Sequence, residues 1–270
     1  THTWEDHQKL LTELDRQRVE RETCEAQELQ EASKVLLREK ALELAKYPVD
    51  ITRYRNERNL MLFPFCSTAK AKRVRGIRYI SADSRRWLEV TANHNYGMAK
   101  IWDFDILRFA ISKAGEIALQ VGYFPPYVDF TSYECLKEIG RDAKAGKNYI
   151  WIEEALARLV STTYKGNIFK EDESKSREEI FTLINVEYVK NQKDQIEKIR
   201  INFNQRIKES AGLRGLLTID NAILREESGI KKRLLELVTV SMGKELSWTV
   251  GIERLQALCV HEGTLKRFKY

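Results

Sequence analysis

The order of segments between residues 101 and 186 is the feature that most limits how this chain can fold. Apolar residues at helical spacing, followed by β-rich runs, predict three helices and then two strands. These segments cover about 101–121, 131–140, 148–160, 162–169 and 179–186. The polar run 170–177 between the strands is typical of a hairpin tip. This is the order of a winged helix, whose third helix enters the major groove of DNA while the hairpin, or wing, lies along the backbone.

Local signals support the ends of these segments. Asp103 or Asp105 can cap the first helix, and Gly122 ends it. The sequence Thr-Ser-Tyr-Glu at 131–134 is a capping box that opens the second helix. Upstream, two β-rich runs joined by the polar segment 83–86 predict a hairpin.

A second, shorter version of the same order follows. Alternating strand-like and helical runs are predicted at 216–219, 230–242, 247–249, 252–260 and 264–270. A complete winged helix needs a longer recognition helix and a wing, so we expect this version to stop within its recognition helix. The predicted fold class is therefore α+β and helix-rich, with tandem winged-helix domains.

The region 4–46 predicts a helical arm ahead of these domains. It contains neither Gly nor Pro and is dominated by Leu, Ala, Glu, Lys and Arg, which favour helix. One long helix or a helix pair is expected, ending before Tyr47-Pro48 because a proline disfavours helix in the residue before it. Its apolar stripe is too broken to predict a coiled coil. Both an oligomerisation arm and an ordinary amphipathic helix remain open.

The positive charge is concentrated in one stretch. The whole chain has 46 Lys and Arg against 40 Asp and Glu, a formal net charge of +6. Residues 1–46 hold 11 acids and 8 bases, whereas residues 50–78 hold 2 acids and 8 bases. The basic loop, residues 70–78, has five bases and no acid. Such a run suits a polyphosphate, since each neutralised phosphate releases condensed counterions; a merely solvated loop is the alternative.

Several function classes are excluded by what the sequence lacks. No run approaches 18 uninterrupted apolar residues, so no membrane-spanning segment is predicted. The four cysteines and four histidines form neither a CxxC pair nor an HExxH motif, which argues against a zinc site or disulfide scaffold and fits reduced thiols in a cytoplasmic protein. There is no Walker motif and no supported Ser-His-Asp set. Asp103 and Asp105 are interpreted as a pair at the N-terminus of a helix rather than as metal ligands together with Asp83. We expect a protein that is not an enzyme and needs no cofactor or metal.

Eleven side chains are predicted to contact DNA. Four belong to the basic loop and would neutralise phosphates, three lie at the first helix–wing junction, and four lie in the last helix, whose basic side would face outward. They are Lys70, Lys72, Arg73 and Arg75; Arg158, Thr163 and Lys165; and Thr264, Lys266, Arg267 and Lys269. Arg158 could instead pair with Glu154, and the last helix could simply present a solvated face.

Several of these segments resemble the plasmid replication initiator protein A family. The segments that carry the likeness are 57–65, 87–91, 96–107, 159–163, 167–168, 216–220 and 230–238. The resemblance covers about residues 55–270, and 96–107 is its most specific part. It leaves the acidic arm outside the match.

The resemblance implies a plasmid-encoded bacterial initiator that binds repeated double-stranded origin sites. It also implies duplex opening, recruitment of the host initiator and helicase, and repression of the protein's own promoter as a homodimer. We divide the chain into a helical arm (1–48), a first winged-helix domain (49–200) and a second (201–270). A winged-helix transcriptional repressor and a plasmid partition or interaction protein are the competing functions.

Overall fold

The fold was examined in a computed structural model. It describes residues 4–169, 178–192, 194–212, 215–243 and 245–269, excepting the side chains of 4–15, 17 and 269. The helices are α1 (Trp4–Leu44), α2 (Arg58–Leu62), α3 (Phe104–Val121), α4 (Ser132–Glu138), α5 (Gly146–Ser161), α6 (Gln205–Gly212), α7 (Ala222–Arg225), α8 (Gly229–Met242), α9 (Ile252–Leu258) and α10 (Leu265–Lys269). The strands are β1 (Arg55–Glu57), β2 (Ile77–Ile80), β3 (Trp87–Thr91), β4 (Tyr127–Thr131), β5 (Thr163–Gly166), β6 (Glu179–Phe181), β7 (Ile184–Lys190), β8 (Ile196–Phe203) and β9 (Leu216–Thr218).

The first winged helix consists of α3, α4 and α5 with a three-stranded antiparallel sheet in the order β4-β8-β7. Val128 of β4 and Val186 of β7 both lie opposite Ile201 of β8. The wing is therefore the hairpin β7–β8, whose turn is closed by a hydrogen bond from the Asn191 N–H to the Gln195 carbonyl (2.9 Å). The winged-helix prediction is confirmed, although its wing lies further along the chain than expected.

The hairpin predicted as the wing belongs to a different sheet. β5 and β6 pair as expected, with Tyr164 opposite Phe181, but β5 also pairs with β3. The result is a four-stranded sheet in the order β2-β3-β5-β6, which contains the predicted β2–β3 hairpin. Identifying this hairpin as the wing was wrong, because local patterning predicts a hairpin without specifying its neighbours. Its predicted tip, 170–177, lies outside the described residues.

Helix α3 is the centre of the hydrophobic core. Apolar side chains on nearly all its faces are buried, and Phe109 packs edge-on against Phe130 of β4 with 4.9 Å between ring centroids. Gly122 ends the helix with a left-handed φ of +75°, as the sequence predicts. The predicted capping role of Asp103 is wrong: its side chain makes no cap hydrogen bond, and Oδ2 accepts the Lys100 N–H at 2.8 Å instead.

The region after β8 packs closely on the segments that precede the first winged helix. β9 pairs with β1, and α8 packs against α2. β8 runs across the domain boundary predicted after residue 200. Helices α8, α9 and α10 form where the second copy predicted them. The strand predicted at 247–249 does not form; that segment is irregular.

A buried network of charges joins α3 to α8. The Arg108 guanidinium donates to Asp105 and Glu236, Lys232 Nζ donates to Asp105 Oδ2 (2.7 Å), and Arg233 Nη1 donates to Glu236 Oε2 (3.0 Å). All five side chains are at most 3% exposed. Buried charges are tolerated only when paired, so this network favours one arrangement of the two helices.

Helix α1 is a single helix that lies mostly outside the core. Ala41 and Ala45 are fully buried, whereas every side chain from Arg18 to Lys40 is exposed. The Ala45 carbonyl accepts the Asp129 N–H (2.8 Å), which ties the end of the arm to β4. The arm prediction is confirmed as one helix, roughly 60 Å long at 1.5 Å per residue.

Candidate nucleic-acid interface

The basic loop is held in a defined conformation by bonds from its own cations. Lys72 Nζ donates to the Asn95 carbonyl (2.7 Å), and Arg73 Nε donates to the Arg75 carbonyl (2.9 Å). Lys70, Lys72 and Arg75 are exposed. Three of the four loop cations predicted to bind phosphate therefore face solvent.

The fourth cation, Arg73, connects the basic loop to the last helix. Its Nη1 forms an ion pair with Glu262 Oε1 (2.8 Å), two residues before Thr264. Thr264 Oγ1 accepts the Arg267 N–H at 3.4 Å, at the start of α10. The structure thus brings together two predicted DNA-contacting elements that are far apart in sequence.

The outer side of α10 is polar and basic, as predicted. Thr264, Lys266 and Arg267 are exposed, and Phe268 turns inward against His261 with 5.2 Å between ring centroids. The side chain of Lys269 lies outside the described residues. The described part of α10 therefore adds two exposed cations next to the basic loop.

The structure corrects the prediction that the Arg158 side chain is available to contact DNA. Its side chain is only 9% exposed, and its Nε and Nη2 donate to the two carboxylate oxygens of Asp103 at 2.8 and 2.9 Å. Nη1 lies 3.6 Å from Glu154, the pairing that the sequence left open. These bonds attach α5 to the start of α3, so the guanidinium is not presented to a DNA groove.

The outward face of α5 consists of other residues, which the sequence-based selection missed. Lys147, Ile150 and Glu154 are exposed, with Ile150 63% exposed, whereas Ile152 and Leu159 are buried on the opposite face. Helical spacing could have identified this face, since positions three and four apart share a side. Its combination of a cation, an apolar side chain and a carboxylate suits contacts with phosphate and base edges.

Thr163 and Lys165 lie on β5, not next to the wing. Lys165 is exposed, opposite Glu89 of β3, with its Nζ 5.7 Å from the Trp87 ring centroid. Thr163 is half-buried opposite Thr91. The prediction that both residues lie at the junction between helix and wing is therefore wrong, because β5 follows α5 into the four-stranded sheet.

The wing carries cations that are already paired. Arg200 makes two bonds to Asp129, at 2.7 and 2.9 Å, and Lys198 Nζ lies 3.4 Å from the same carboxylate. Burial raises the pKa of Asp129, but the hydrogen bonds and positive charges of Arg200 and Lys198 outweigh it, so the net pKa is lowered. Lys190 pairs with Glu153 of α5 (2.9 Å), which fixes the wing against that helix.

A groove of about 660 Å³ links the basic loop to α5. Its lining includes the cations Lys70 and Lys100 and the acids Glu226 and Glu227. Trp151 also lines it, with Arg141 stacked 3.6 Å from its ring centroid. Lys100 Nζ donates to the Lys70 carbonyl (2.6 Å). Partial burial, with repulsion from Arg158, lowers the pKa of Lys100. A continuous region thus runs from α10 through the basic loop to α5, and these three elements, which the sequence predicts to contact DNA, are called the DNA-facing region below.

Neither a metal site nor a membrane-spanning helix is found in the part of the chain that the structure describes. It contains no group of three or more His, Cys, Asp or Glu placed to hold a metal ion. Among the helices described, none is long and apolar enough to span a bilayer.

A family model described as Replication initiator protein A matches residues 55–270. The chain belongs to the replication initiator protein A family. The resemblance inferred from the sequence is thereby confirmed over the same range. Membership of the replication initiator protein A family supports a role in replication initiation and implies DNA binding.

Solved structures of RctB have the same fold. A crystal structure of selenomethionine derivatives of domains 2 and 3 of RctB is 12% identical, with a TM-score of 0.55, covering 78% of each chain. A second structure of RctB domains 2-3 is also 12% identical, with a TM-score of 0.51 and the same coverage. At this identity the likeness concerns the fold alone. A comparison with curated proteins found no match.

Proposed function

We propose that this member of the replication initiator protein A family starts plasmid replication by binding repeated double-stranded sites, or iterons, at the plasmid origin. In the bacterial cytoplasm it would promote opening of the origin duplex and recruit the host initiator and helicase. As a homodimer it would repress its own promoter. Binding to iterons, duplex opening, recruitment of host proteins and autorepression go beyond the general role in replication initiation that family membership supports.

The observation that carries the proposal is the ion pair between Arg73 and Glu262. It joins the basic loop, which precedes the first winged helix, to the turn before α10. The exposed cations of the two elements then lie near one another, and they are Lys70, Lys72 and Arg75 on the loop with Lys266 and Arg267 on α10. One chain could therefore hold the phosphates of a single DNA site with both elements.

The charge distribution supports the same proposal. The acidic arm hides part of the positive charge of the remaining chain, and most of that charge lies in residues 50–78. A local concentration of cations steers DNA toward one face, and the binding constant then falls steeply with salt. Contacts to phosphates position the protein, whereas sequence preference has to come from base edges.

Binding to the plasmid's own origin tests the proposal. The full chain is titrated at two salt concentrations with a duplex carrying the origin repeats, with the protein's promoter and with a shuffled duplex. Lys72→Ala with Arg75→Ala should weaken binding to all three and reduce the salt slope by about 0.9 for each phosphate that is no longer neutralised. The matched control is Arg53→Ala with Lys137→Ala, whose side chains are exposed elsewhere. Equal affinity for the repeats and the shuffled duplex would contradict the proposal.

The competing functions predict different outcomes. A transcriptional repressor would prefer the promoter duplex to the origin repeats. An interaction protein acting through α1 is favoured by the exposure of that helix from Arg18 to Lys40. In that case, deletion of residues 1–38 would abolish plasmid maintenance while affinity for every duplex stays unchanged.

A further inference from the structure

A groove outside the DNA-facing region lies between the β2–β3 turn and the segment that leads into α9. It has a volume of about 810 Å³. The β2–β3 turn contributes Arg86, and the other wall contributes Trp248 and Arg254. The two walls are far apart in sequence, so the groove exists only in the folded protein.

The groove is positively charged. Arg86 and Arg254 are exposed, and neither forms an ion pair with any residue that the structure describes. Among the described residues that line it, Asp83 is the one acid, and Asp83 Oδ1 already accepts the Ser81 hydroxyl (2.5 Å) and the Arg85 N–H (3.2 Å). Unpaired arginines attract carboxylates or phosphates, with which they form two-pronged hydrogen bonds.

The floor of the groove is apolar. Phe63 and Tyr79 are 3% and 6% exposed and pack edge-to-face, with 6.0 Å between ring centroids. Their ring faces are therefore not offered as platforms for stacked bases. Leu62 and Val250 extend the apolar lining. Such a floor accepts an aliphatic or aromatic side chain, which a sugar-phosphate backbone does not supply.

The groove continues into a second one of about 330 Å³, since both are lined by Leu62 and Arg86. The second groove adds Arg58, which is exposed. Its acid, Glu209, is paired with Arg206 at 2.9 Å. The joined grooves form an extended channel with arginines along its length, which fits an extended chain better than a compact small molecule.

We propose that this channel is a docking site for an acidic peptide segment of a partner protein, in which carboxylates flank a large apolar side chain. Arg58, Arg86 and Arg254 bind the carboxylates, and the apolar floor at Phe63 and Tyr79, together with Trp248 of the wall beside it, receives the apolar side chain. The inference does not depend on origin binding, because none of these residues belongs to the basic loop, α5 or α10.

Peptide binding to the full chain provides the test. The probe is a short fluorescein-labelled peptide with Asp and Glu around one Leu and one Phe, and we expect a Kd on the order of 10 µM. One comparison peptide has Ser in place of Leu and Phe, another has Lys in place of the acids, and an oligothymidylate competes as a nucleic acid. Both altered peptides should bind at least about tenfold more weakly, because each lacks one of the two kinds of contact.

Protein variants locate the site. Arg86→Glu with Arg254→Glu should weaken binding of the acidic peptide at least about tenfold, and the neutral pair Arg86→Gln with Arg254→Gln should give a smaller loss in the same direction. The control Arg53→Glu with Lys137→Glu changes net charge equally, lies outside the channel and should leave peptide binding nearly unchanged. Duplex DNA binding should fall no further in the groove variants than in the control.

Three results would overturn the proposal. The first is equal peptide affinity in the groove and control variants. The second is displacement of the acidic peptide by oligothymidylate at a matched concentration, which would make the channel a nucleic-acid site. The third is a selective loss of duplex DNA binding in the groove variants, which would extend the DNA-facing region to the channel.

Discussion

Arg73 and Glu262 form an ion pair, with 2.8 Å between Nη1 and Oε1, that joins the basic loop to the turn before α10. The Arg73 side chain is 11% exposed, whereas that of Glu262 is 58% exposed. A pair with one exposed partner contributes little to stability. Its consequence is geometric, because it places a carboxylate among cations that are proposed to bind phosphate.

Glu262→Gln should therefore strengthen DNA binding. Removing the negative charge frees the Arg73 guanidinium and lowers repulsion of phosphates, so affinity for duplexes of any sequence should rise about threefold to tenfold at low salt. The salt slope should become steeper by about one unit. Fluorescence anisotropy titrations at two salt concentrations measure both quantities. Glu43→Gln on α1 is the control, and an equal effect of both substitutions would show that only net charge matters.

Arg158→Ala should destabilise the fold. The substitution leaves the Asp103 carboxylate buried without its two-pronged partner, and breaking a buried pair costs about 3–5 kcal/mol. Arg158→Lys should also destabilise it, because an ammonium group cannot reproduce the two parallel bonds. Urea unfolding measures the change, with Lys165→Ala as an exposed control. If Arg158→Ala instead had the stability of the wild type but no preference for particular bases, Arg158 would be a DNA-reading residue after all.

Glu154→Gln should change sequence preference at one base pair. A carboxylate on the exposed face of α5 accepts from cytosine N4, whereas an amide pairs with adenine, and such contacts are worth about 1–3 kcal/mol of discrimination. Selection of preferred duplexes from a randomised pool measures the shift. Glu153→Gln is the matched control, since Glu153 faces Lys190 of the wing. If the wild type and Glu154→Gln selected the same duplex sequences, the exposed face of α5 would not read bases.

Asp129→Asn should make the free energy of unfolding depend less on pH in the acid range. In the folded protein the pKa of Asp129 lies below its ordinary value of 3.8, since Arg200 and Lys198 outweigh the effect of burial. The stabilisation is fully present above that ordinary value and is lost as the pH falls through the lower folded value. The variant should be less stable at neutral pH by about 1 kcal/mol, because Arg200 is partly exposed and the pair is screened.

Urea unfolding at neutral pH and at several values below about pH 4 checks this prediction. Asp50→Asn, with an exposed side chain, is the control. A variant curve parallel to that of the wild type in the acid range would show that Asp129 does not link the stability of the β4–β8 pairing to pH.

Features governed by neighbours in the chain could be predicted from the sequence. The capping box is one example: Thr131 Oγ1 accepts the Glu134 N–H at 3.0 Å. Helix α3 ends at Gly122 because only a residue that tolerates positive φ continues the chain there. The β2–β3 hairpin and the helical character of α1 follow from short-range turn chemistry and helix propensity in the same way, although the sequence left open whether the arm is one helix or two.

Other features depend on contacts between distant segments. β5 and β7 are both strand-like, and only packing in three dimensions assigns β5 to β3 and β7 to β8. Arg158 has the residue type and position of a base-reading side chain, yet Asp103, far away in sequence, takes up two of its donors. The pairing of these strands and the burial of Arg158 depend on which polar groups are desolvated together when the core assembles, and a local sequence pattern does not contain that information.

The helices α1, α3, α4, α5, α8, α9 and α10, the concentration of positive charge and the family can be read from the amino-acid sequence, because propensity, capping and composition are local properties of the chain. The short helices α2, α6 and α7 were not predicted. The identity of the wing, the exposure of each cation and the contact between Arg73 and Glu262 arise only when distant segments pack together. Strand pairing and buried ion pairs are selected by long-range packing and by the cost of leaving polar groups unpaired, and neither can be read along a single segment.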